Sequence, residues 1–378
     1  MKKVIFFTNI FPHYRFSIYK KLINSDKFDF EIFFSPNNPL GIPSTDINNL
    51  FNKKERTKLQ FLKNYWFKKK IIIWQSKIIK KVLFTRFDYL LLLGDMYIIS
   101  TWLACLIAKF RGKKIYMWSH GLYGNENLIK KTVRLSFLKL ANVIFLYEKR
   151  AKNLLIQSGF RENSLEVVYN SLDFNKHQEL YIKLKGSSKY KWRGIFKNQT
   201  IPVIVFIGRI TDIKKIQLLI DSINRLNHLN VSYNLLIIGG GEKLEFYKRS
   251  NQKLINDGWL HFYGSLYNSE EISRLIYFSD LCVSPGNIGL TAIHSLSFGT
   301  PVVSHSNFNN QMPEVEAIID GENGFLFKEG DSIDLSNKIN KWFSKNNKID
   351  RDIVRKIVVE KYNPTNQLSI FTKSFLNG

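Results

Sequence analysis

Four glycine-containing segments in the second half of the chain have the composition of a phosphate-binding site. Each directly follows a short apolar run, and their sequences are GRITDIK at 208–214, GGGE at 239–242, GSL at 264–266 and SPGNIG at 284–289. Glycine lets backbone N–H groups approach a phosphate, and Arg209 and Lys214 would add fixed positive charge. Together the segments favour a diphosphate site, whereas any one alone is equally compatible with a tight turn and a solvated arginine.

The elements that would position these segments alternate between strands and helices. In the second half, strand-like apolar runs at 203–207, 234–238, 260–263, 281–283 and 301–303 are separated by stretches with helical spacing. The first half alternates in the same way, with strand-like runs at 3–8, 28–34, 89–93, 114–118, 143–147 and 165–169. This pattern predicts an α/β fold whose parallel sheets carry helices on both faces and bind ligands beyond the carboxyl ends of the strands.

The alternation stops after residue 173 and restarts near residue 201, which predicts two separate domains. We expect an N-terminal domain over residues 1–175, a helix-and-loop connection over 176–200 and a second domain over 201–362. Near the end of the chain, Asn363 and Pro364 have the types of an N-cap and a first helical residue. Residues 363–378 are therefore predicted to form a terminal helix that crosses back to the N-terminal domain.

The charge of the chain is divided unevenly. The formal net charge is +25; residues 1–200 contain 37 Lys and Arg against 13 Asp and Glu, and residues 201–378 contain 19 against 18. A polycationic first half beside a neutral second half predicts an anionic partner for the first half, either nucleic acid or the phosphate-rich face of a membrane.

The cysteines and the apolar runs indicate the compartment. Cys105 and Cys282 both lie inside apolar runs, which predicts buried thiols in a reducing compartment, so we expect a cytoplasmic protein. The longest uncharged, mostly apolar run, residues 96–108, is shorter than the ~18–20 residues needed to cross a bilayer. We therefore expect the chain to span no membrane, although it could lie on one.

The second half resembles the family 4 glycosyltransferases, which are retaining enzymes with the GT-B fold. The resemblance rests on the order and spacing of GRITDIK, IIGGGEKLE, FYGSLYNSEEISRLIYFSDLCVSPG and GLTAIHSLSFGTPVV. The first half resembles the family more loosely, through TNIFPHYR, WSHG and VVYNSLD. The resemblance implies two Rossmann-like domains with parallel sheets facing across a cleft, the first binding the acceptor and the second the nucleotide-sugar donor.

The resemblance also assigns roles to individual residues. Arg209 and Lys214 match the arginine and lysine that bind the donor's diphosphate, and His120 matches the active-site histidine near the donor sugar. The loop at 9–15 matches the first-strand loop that faces the donor from the acceptor domain. The further positions expected at the diphosphate are Gly289, Leu290 and Thr291, and those expected at the nucleotide or sugar are Asn9, Gly208, Gly240, Gly286, Asn287, His294, Glu314 and Glu316.

The sequence departs from the family at two acidic positions. The family carries two glutamates with seven residues between them, and here those positions hold Gly286 and His294. The first carboxylate would contact the donor sugar and the second the ribose, so the departure leaves the donor open. Asn287 and His294 could supply hydrogen bonds instead, and Glu314 and Glu316 are candidates for the missing acids. The alternative for these two glutamates is a surface ion pair.

Two further residues are candidates for catalysis. His120 follows a predicted strand, and its alternative is a core or capping histidine satisfied by the backbone. Asp95, in LLLGDMY, is a secondary candidate for a catalytic base, with a helix N-cap as the favoured alternative. Asp350 and Asp352 have a spacing that can hold a metal, but we interpret them as helix caps. No cluster of ligands in the sequence suggests a metal site, and no cofactor is expected.

Aromatic residues alternate with cations in the basic half, as they do in interfacial membrane segments. The acceptor or membrane residues predicted on this basis are Arg15, Lys68, Lys69, Lys70 and Trp192. We expect peripheral binding to the inner face of the cell membrane, where a lipid-linked saccharide would be the acceptor. The alternative is a basic surface that only keeps the protein soluble.

The function expected from these observations is transfer of a sugar from a nucleoside-diphosphate sugar to a saccharide acceptor. The resemblance implies a metal-independent, retaining reaction in bacterial O-antigen, capsule or exopolysaccharide synthesis. The main alternative is a basic nucleic-acid-binding protein without transferase activity, although no helix-turn-helix, RNP or zinc-finger pattern occurs. A nicotinamide-dependent dehydrogenase is disfavoured, because the first strand is followed by TNIFPHYR rather than G-x-G-x-x-G.

Overall fold

The computed structural model describes residues 1–39, 41–68, 71–187, 193–229, 231–345 and 350–377, with only the backbone of Arg193. The chain divides into two compact units. The first unit comprises Met1–Asp173 and Asn363–Gly378, and the second comprises Phe174–Tyr362. The segment predicted to connect two domains therefore begins with a helix, Phe174–Lys185, that is part of the second unit.

The centre of the first unit is a parallel sheet. Its described residues form the strands β1 (Lys2–Phe7), β2 (Phe28–Phe34), β3 (Leu59–Phe61), β4 (Asn64–Phe67), β5 (Ile72–Gln75), β6 (Tyr89–Leu93), β7 (Lys114–Ser119), β8 (Val143–Leu146) and β9 (Leu165–Val167). Seven of them pair in the order β3-β2-β1-β6-β7-β8-β9, all in parallel. The other two, β4 and β5, form an antiparallel hairpin.

Helices cover both faces of this sheet. They are α1 (Phe16–Ile23), α2 (Ile47–Leu50), α3 (Lys53–Arg56), α4 (Ile78–Phe84), α5 (Ile99–Phe110), α6 (Leu128–Leu138) and α7 (Lys149–Gln157). Successive strand residues point to opposite faces. Ile5 and Phe7 of β1 accordingly join a core with α4 to α7, whereas Val4 and Phe6 join a second core with α1. The predicted layered α/β arrangement is confirmed in this unit.

The second unit repeats the architecture. Its described helices are α8 (Phe174–Lys185), α9 (Ile216–His228), α10 (Leu244–Ser250), α11 (Gln252–Asn256), α12 (Ser269–Phe278), α13 (Thr291–Ser297), α14 (Ser332–Lys345) and α15 (Arg351–Glu360). Its strands are β10 (Val203–Ile207), β11 (Asn234–Ile238), β12 (Leu260–Gly264), β13 (Leu281–Ser284), β14 (Val302–His305) and β15 (Gly324–Phe327). They pair in parallel in the order β12-β11-β10-β13-β14-β15, so this sheet also confirms the predicted fold class.

The chain ends in helix α16 (Pro364–Asn377), which belongs to the first unit. The Asn366 N–H donates to Asn363 Oδ1 at 2.8 Å, which caps the first turn as the sequence predicted. Phe371 and Phe375 are fully buried, and the Phe371 ring lies 4.4 Å from that of Phe145. This helix therefore completes the core on the α1 face of the sheet.

Two further expectations concern burial and membrane spans. Cys105 and Cys282 are both buried free thiols, as predicted. Over the described part of the chain, no helix has the length and apolar character needed to cross a bilayer.

Candidate functional site

The glycine segments of the second unit contact one another beyond the carboxyl ends of β10 and β11. The Ile210 N–H donates to the Gly240 carbonyl at 2.9 Å. A β-carbon placed on Gly239 would lie 1.9 Å from the Gly208 carbonyl oxygen, so no other residue fits there without a shift of the backbone. The predicted positions Gly208 and Gly240 thus belong to two loops held together backbone against backbone.

Lys214 links this cluster to the loop that follows β13. It ends a 3-10 turn, Asp212–Lys214, and its Nζ donates to the carbonyl oxygen of Asn287 at 2.6 Å and to Asn287 Oδ1 at 2.8 Å. Burial lowers the pKa of Lys214, and the nearby Glu314 carboxylate acts in the opposite direction. Two predicted residues, Lys214 and Asn287, are therefore joined, with a half-buried cation at the loop junction.

Arg209 has the opposite environment. Its side chain is exposed, and it makes no hydrogen bond or ion pair with the described residues of the chain. Arg209 follows β10 directly and precedes the 3-10 turn that carries Lys214. An arginine without a protein partner keeps its donors available for a phosphate.

The packing around Gly286, where the family carries a glutamate, explains why this position holds a glycine. A β-carbon on Gly286 would lie 2.0 Å from the Ile213 carbonyl oxygen and 2.7 Å from the α-carbon of Lys214. The backbone of the Asp212–Lys214 turn therefore occupies the space that a glutamate side chain would need. In this chain the loop after β13 packs against the loop after β10 and has no room for a carboxylate at position 286.

His294, at the second departure, lies on α13 and stacks on a second histidine. Its ring lies 4.7 Å from the ring of His177 of α8, with 8° between the ring planes. Burial holds the pKa of His294 well below its usual range, and His177 lowers it further. Its Nε2 atom is buried without a hydrogen-bond partner among the described residues. A neutral imidazole thus stands where the family has a carboxylate.

Glu314 is buried, so the alternative of a surface ion pair is wrong for this residue. It is 4% exposed on the 3-10 helix Pro313–Ala317 and lies close enough to oppose the lowering of the Lys214 pKa. A β-carbon on Gly289 would lie 3.9 Å from Glu314 Oε2, so this carboxylate borders the loop after β13. Glu316 lies on the same 3-10 helix and is half-buried.

The sequence did not indicate one residue of this cluster, Gln311. Its Oε1 accepts a hydrogen bond from the Ile288 N–H at 2.8 Å, and its Nε2 donates to Ser304 Oγ at 2.9 Å and to the His305 carbonyl at 3.0 Å. Gln311 therefore fixes the loop after β13 to the end of β14. It stands 23 residues from its partner Ile288 without a recognisable motif, so no sequence signal could have found it.

The predicted positions Gly289, Leu290 and Thr291 lie where α13 begins. Gly289 and Leu290 precede the helix, and Thr291 is its first residue. The Thr291 hydroxyl donates to the Ile207 carbonyl at the end of β10, at 3.2 Å. The start of α13 is thereby held beside the Arg209 loop.

The first unit contains a separate pocket beyond the ends of β1, β6 and β7. Its volume is 310 Å³. Four predicted residues, Asn9, Arg15, Asp95 and His120, line it together. These four positions span 112 residues of sequence, and the parallel sheet brings them to one edge.

His120 follows β7 and lies between two aromatic rings of the pocket. Its ring centroid is 4.5 Å from that of Tyr147 and 5.7 Å from that of Tyr123. Burial lowers the pKa of His120 to about 4, and the charges of Arg15 and Arg134 lower it further. Its buried Nδ1 makes no hydrogen bond with the described residues. At neutral pH His120 is therefore neutral, and Nδ1 is not satisfied by the backbone.

Asp95 does not cap a helix, so the favoured alternative for this residue is wrong. The N-cap of α5 is Ile98, and the Asp95 carboxylate instead accepts a hydrogen bond from the Tyr97 N–H at 3.0 Å within the preceding turn. Burial raises the pKa of Asp95, whereas the Tyr97 hydrogen bond and Arg134 lower it.

Arg15, predicted for an acceptor or a membrane, is only 8% exposed. It lines the pocket, so it cannot meet a membrane surface, and only the acceptor part of that prediction stays open. A second arginine of the pocket, Arg134 of α6, was missed by the sequence analysis. Arg134 pairs with Glu126 at 2.9 Å, and nothing in its spacing on α6 indicates that it reaches the end of β7.

The remaining predicted residues lie elsewhere. Lys68 is exposed beside the β4–β5 hairpin, with a positive φ of 44°. Lys69, Lys70 and Trp192 lie outside the described residues. Asp350 caps α15 by accepting hydrogen bonds from the Asp352 and Ile353 N–H groups, which confirms its interpretation as a helix cap. Among the residues that the structure describes, no group of three His, Cys, Asp or Glu side chains is placed to hold a metal ion.

Comparison with known proteins identifies the class. Residues 189–357 match the family described as "Glycosyl transferases group 1". The chain is 23% identical over 295 residues to the uncharacterized glycosyltransferase MJ1069 of Methanocaldococcus jannaschii, covering 73% of this chain and 72% of that protein. It is 28% identical over 203 residues to MJ1059 of the same organism, also described as an uncharacterized glycosyltransferase, covering 51% and 46%.

Solved structures share the fold. The apo form of the lipopolysaccharide outer core galactosyltransferase WaaB superposes with a TM-score of 0.72 at 17% identity, covering 99% of both chains. Anabaena Alr3699/HepE in complex with UDP and glucose superposes with a TM-score of 0.69 at 15% identity, covering 100% of both chains.

The two parallel α/β units and these similarities define a glycosyltransferase of the GT-B class. The residues that match the family described as "Glycosyl transferases group 1", 189–357, lie within the second unit. The predicted resemblance, fold and enzyme class are thereby confirmed. The nucleic-acid-binding alternative is not favoured.

Proposed function

We propose that this glycosyltransferase takes its sugar from a nucleoside-diphosphate sugar bound by the second unit and transfers it, with retention and without a metal ion, to a saccharide acceptor. The observation that carries the donor assignment is the placement of Arg209 and Lys214. Arg209 is exposed and has no partner among the described residues, and Lys214 lies at the junction of glycine loops that follow parallel strands. Such loops and fixed cations suit a diphosphate.

The reaction needs stabilisation of the leaving diphosphate. Negative charge develops on the leaving oxygen as the bond to the anomeric carbon breaks, and cations placed in advance stabilise that charge. Two hydrogen bonds to Asn287 hold the Lys214 ammonium in place before any ligand arrives, and both accept through neutral oxygens. A phosphate oxygen is a stronger acceptor for an ammonium than an amide oxygen is. With retention, the departing phosphate oxygen would accept the acceptor's proton on the same face of the sugar.

The pocket of the first unit suits a sugar ring. Aromatic rings and a few polar groups line it, as is common for small-molecule sites. Because the pKa of His120 is lowered to about 4, the imidazole is neutral and offers either a donor or an acceptor to a sugar hydroxyl. The similar HepE structure contains UDP and glucose, which supports the same ligand classes for this protein.

A basic, apolar face of the first unit supports binding to a membrane. Helix α5 exposes large apolar side chains in a stripe, at Ile99, Leu103, Leu106 and Phe110. The adjacent hairpin and α4 expose Phe67 and Phe84. Residues 62–113 contain 11 Lys and Arg against two acidic residues. Apolar side chains among cations are typical of interfacial segments, and each cation near an anionic surface adds about 1 kcal/mol of attraction.

We therefore place the protein on the inner face of the cell membrane, with a lipid-linked saccharide as acceptor, in synthesis of O-antigen, capsule or exopolysaccharide. The similarity to WaaB, a lipopolysaccharide outer core galactosyltransferase, supports this setting.

The donor assignment is tested by incubating the protein with a panel of nucleoside-diphosphate sugars and measuring release of the nucleoside diphosphate. We expect turnover with at least one donor in the presence of EDTA. Arg209→Ala should reduce turnover severely, and Arg249→Ala, which changes another exposed arginine of the same unit, should not. Equal rates for both variants would contradict the assignment.

The membrane assignment is tested by co-sedimentation with vesicles of phosphatidylglycerol or of phosphatidylcholine. We expect binding to the anionic vesicles only. Phe110→Glu should weaken it, whereas Phe246→Glu, an exposed phenylalanine of the second unit, should not. Equal binding to both vesicle types would overturn the electrostatic part of the proposal.

A further inference from the structure

The pocket of the first unit holds a cation that lacks an acidic partner. The Arg15 side chain is more than nine-tenths buried, and its guanidinium lies 4.5 Å from the centre of the Trp118 ring and 5.4 Å from that of Tyr147. It donates to the Tyr147 hydroxyl, and its Nε has no hydrogen-bond partner among the described residues. No ion pair joins Arg15 to a carboxylate in the described part of the chain.

Burying the Arg15 guanidinium without an opposite charge costs free energy, and a bound anion would offset that cost. A guanidinium remains charged at every physiological pH, and a buried charge is normally paired with an opposite charge. Trp118, which also lines the pocket, has a buried indole N–H without a partner among the described residues. The Arg15 guanidinium lines the pocket and is therefore the group placed to meet the oxygens of an anion.

The other charges of the pocket do not neutralise Arg15. Arg134 is already paired with Glu126 at 2.9 Å. Asp95 lines the pocket, but its carboxylate accepts from the Tyr97 N–H, and burial raises its pKa. His120 is neutral, because burial and the two arginines lower its pKa to about 4. Among the described residues, Arg15 is therefore a cation of this pocket that no carboxylate meets within ion-pair distance.

We propose that this pocket binds an acidic group on a sugar ring, a carboxylate or a phosphate, with the Arg15 guanidinium as its main contact. The cavity of 310 Å³ lies at the small end of ligand pockets, which suits one ring rather than a chain of sugars. The transferase's substrate would thus be an acidic sugar, such as a uronic acid or a sugar phosphate. The identification of that sugar as a substrate rests on the proposed function, but anion binding at Arg15 does not.

The test is calorimetric titration of the full chain with glucose, glucuronate and glucose 6-phosphate. A charge-assisted contact makes us expect at least one acid to bind about 10-fold or more tightly than glucose. Comparing the titration with glucuronate to that with glucose 6-phosphate shows whether the pocket prefers a carboxylate or a phosphate. Equal binding of glucose and both acids to the unmodified protein would overturn the proposal without any variant.

Variants of Arg15 show whether the preference for an acidic sugar depends on this side chain. Arg15→Met should abolish the preference for the acid, Arg15→Lys should keep part of it, and Arg161→Met, which changes an exposed arginine of the same unit, should leave it intact. Thermal unfolding shows whether each variant folds, and Arg15→Lys, which keeps the charge, provides the comparison if Arg15→Met does not fold. A preference for the acid that survives in folded Arg15→Met would overturn the proposal.

Donors and acceptors can be separated in the same way. An Arg15-dependent preference for UDP-glucuronate over UDP-glucose places the acid on the donor sugar, whereas a preference among the free sugars alone places it on the acceptor. Arg15-dependent acid binding with no nucleoside diphosphate released from any donor would uphold the anion site and contradict the proposed transfer. Transfer without any preference for acids would contradict only the anion site.

Discussion

Replacing Lys214 by methionine should weaken donor binding and slow transfer. Methionine keeps an unbranched side chain of similar length but removes the ammonium group, which donates to the carbonyl oxygen and to Oδ1 of Asn287. One charge-assisted hydrogen bond contributes about 1.5–3 kcal/mol, so the Kd of a nucleoside diphosphate should rise about 10- to 150-fold. A donor that stabilises developing charge contributes about 2.7–4 kcal/mol to the barrier, so kcat should fall about 10²- to 10³-fold.

The same substitution should not destabilise the second unit. Burial lowers the pKa of Lys214, which means that its environment penalises the charged form. Methionine removes that penalty but also the two hydrogen bonds to Asn287, so the opposing effects should leave the midpoint of denaturant unfolding little changed. This separates a loss of ligand binding from a loss of folding.

The measurement is calorimetric titration with UDP together with steady-state release of UDP from a donor that the unmodified protein uses. The matched control is Lys215→Met, because Lys215 is the next residue and its Nζ pairs with Glu329 at 2.7 Å. We expect the control to bind UDP within about threefold of the unmodified protein. Near-normal Kd and kcat in folded Lys214→Met, or an equal loss of binding in both variants, would show that Lys214 does not bind the diphosphate.

Three further predictions concern the fold and its pH dependence. Gly286→Glu, which restores the family's residue type, should impair UDP binding in titration, because its β-carbon would lie 2.0 Å from the Ile213 carbonyl oxygen; improved binding would contradict this. Burial, Lys176 and Arg355 lower the pKa of His177 to about 4, so the unfolded chain binds more protons between about pH 4 and pH 6.5. Denaturant melts should therefore show stability lost as the pH falls through that window, by up to on the order of 3 kcal/mol for this residue, and a smaller loss in His177→Phe; an identical loss would exclude His177 as its source. Phe371→Ala should lower the free energy of unfolding by about 3–5 kcal/mol, because the ring is fully buried against Phe145; a change below about 1 kcal/mol would show that α16 does not complete the core.

The fold could be predicted because its signals are local. Most strands of the two sheets contain a short apolar run followed by glycine or polar residues, so the alternation and the loops at the carboxyl edge are visible in the sequence. The edge strands β3 and β15 were not predicted, because each is only three or four residues long.

The candidate site was predicted less completely, because its contacts depend on packing between distant segments. The sequence indicated Arg209 and Lys214 but not that Lys214 is fixed by Asn287, 73 residues away. Burial was misjudged for Glu314, for which a surface ion pair was the alternative and which is 4% exposed. Arg15 was assigned to a surface that meets the acceptor or the membrane because it is a cation among aromatic residues, yet aromatic side chains from β7 and the segment after β8 enclose it.

Position 286 shows the limit of residue identity as a guide. The absence of the family's glutamate at this position looked like the loss of a ligand contact. The structure shows instead that the backbone of Ile213 occupies the space. This close approach depends on how the loops after β10 and β13 pack together, and the sequence of either loop by itself does not reveal it.

The proposed function depends on binding of a sugar donor's diphosphate by the second unit. The most direct measurement is the thermal unfolding of the full chain with a panel of nucleoside-diphosphate sugars that covers the common bases. At about 100 times its Kd, the true donor should raise the free energy of unfolding by about 2.7 kcal/mol, and Lys214→Met should remove about half of that gain or more. If no nucleoside-diphosphate sugar stabilises the chain at millimolar concentration, or if Lys214→Met is stabilised equally, the proposal is contradicted.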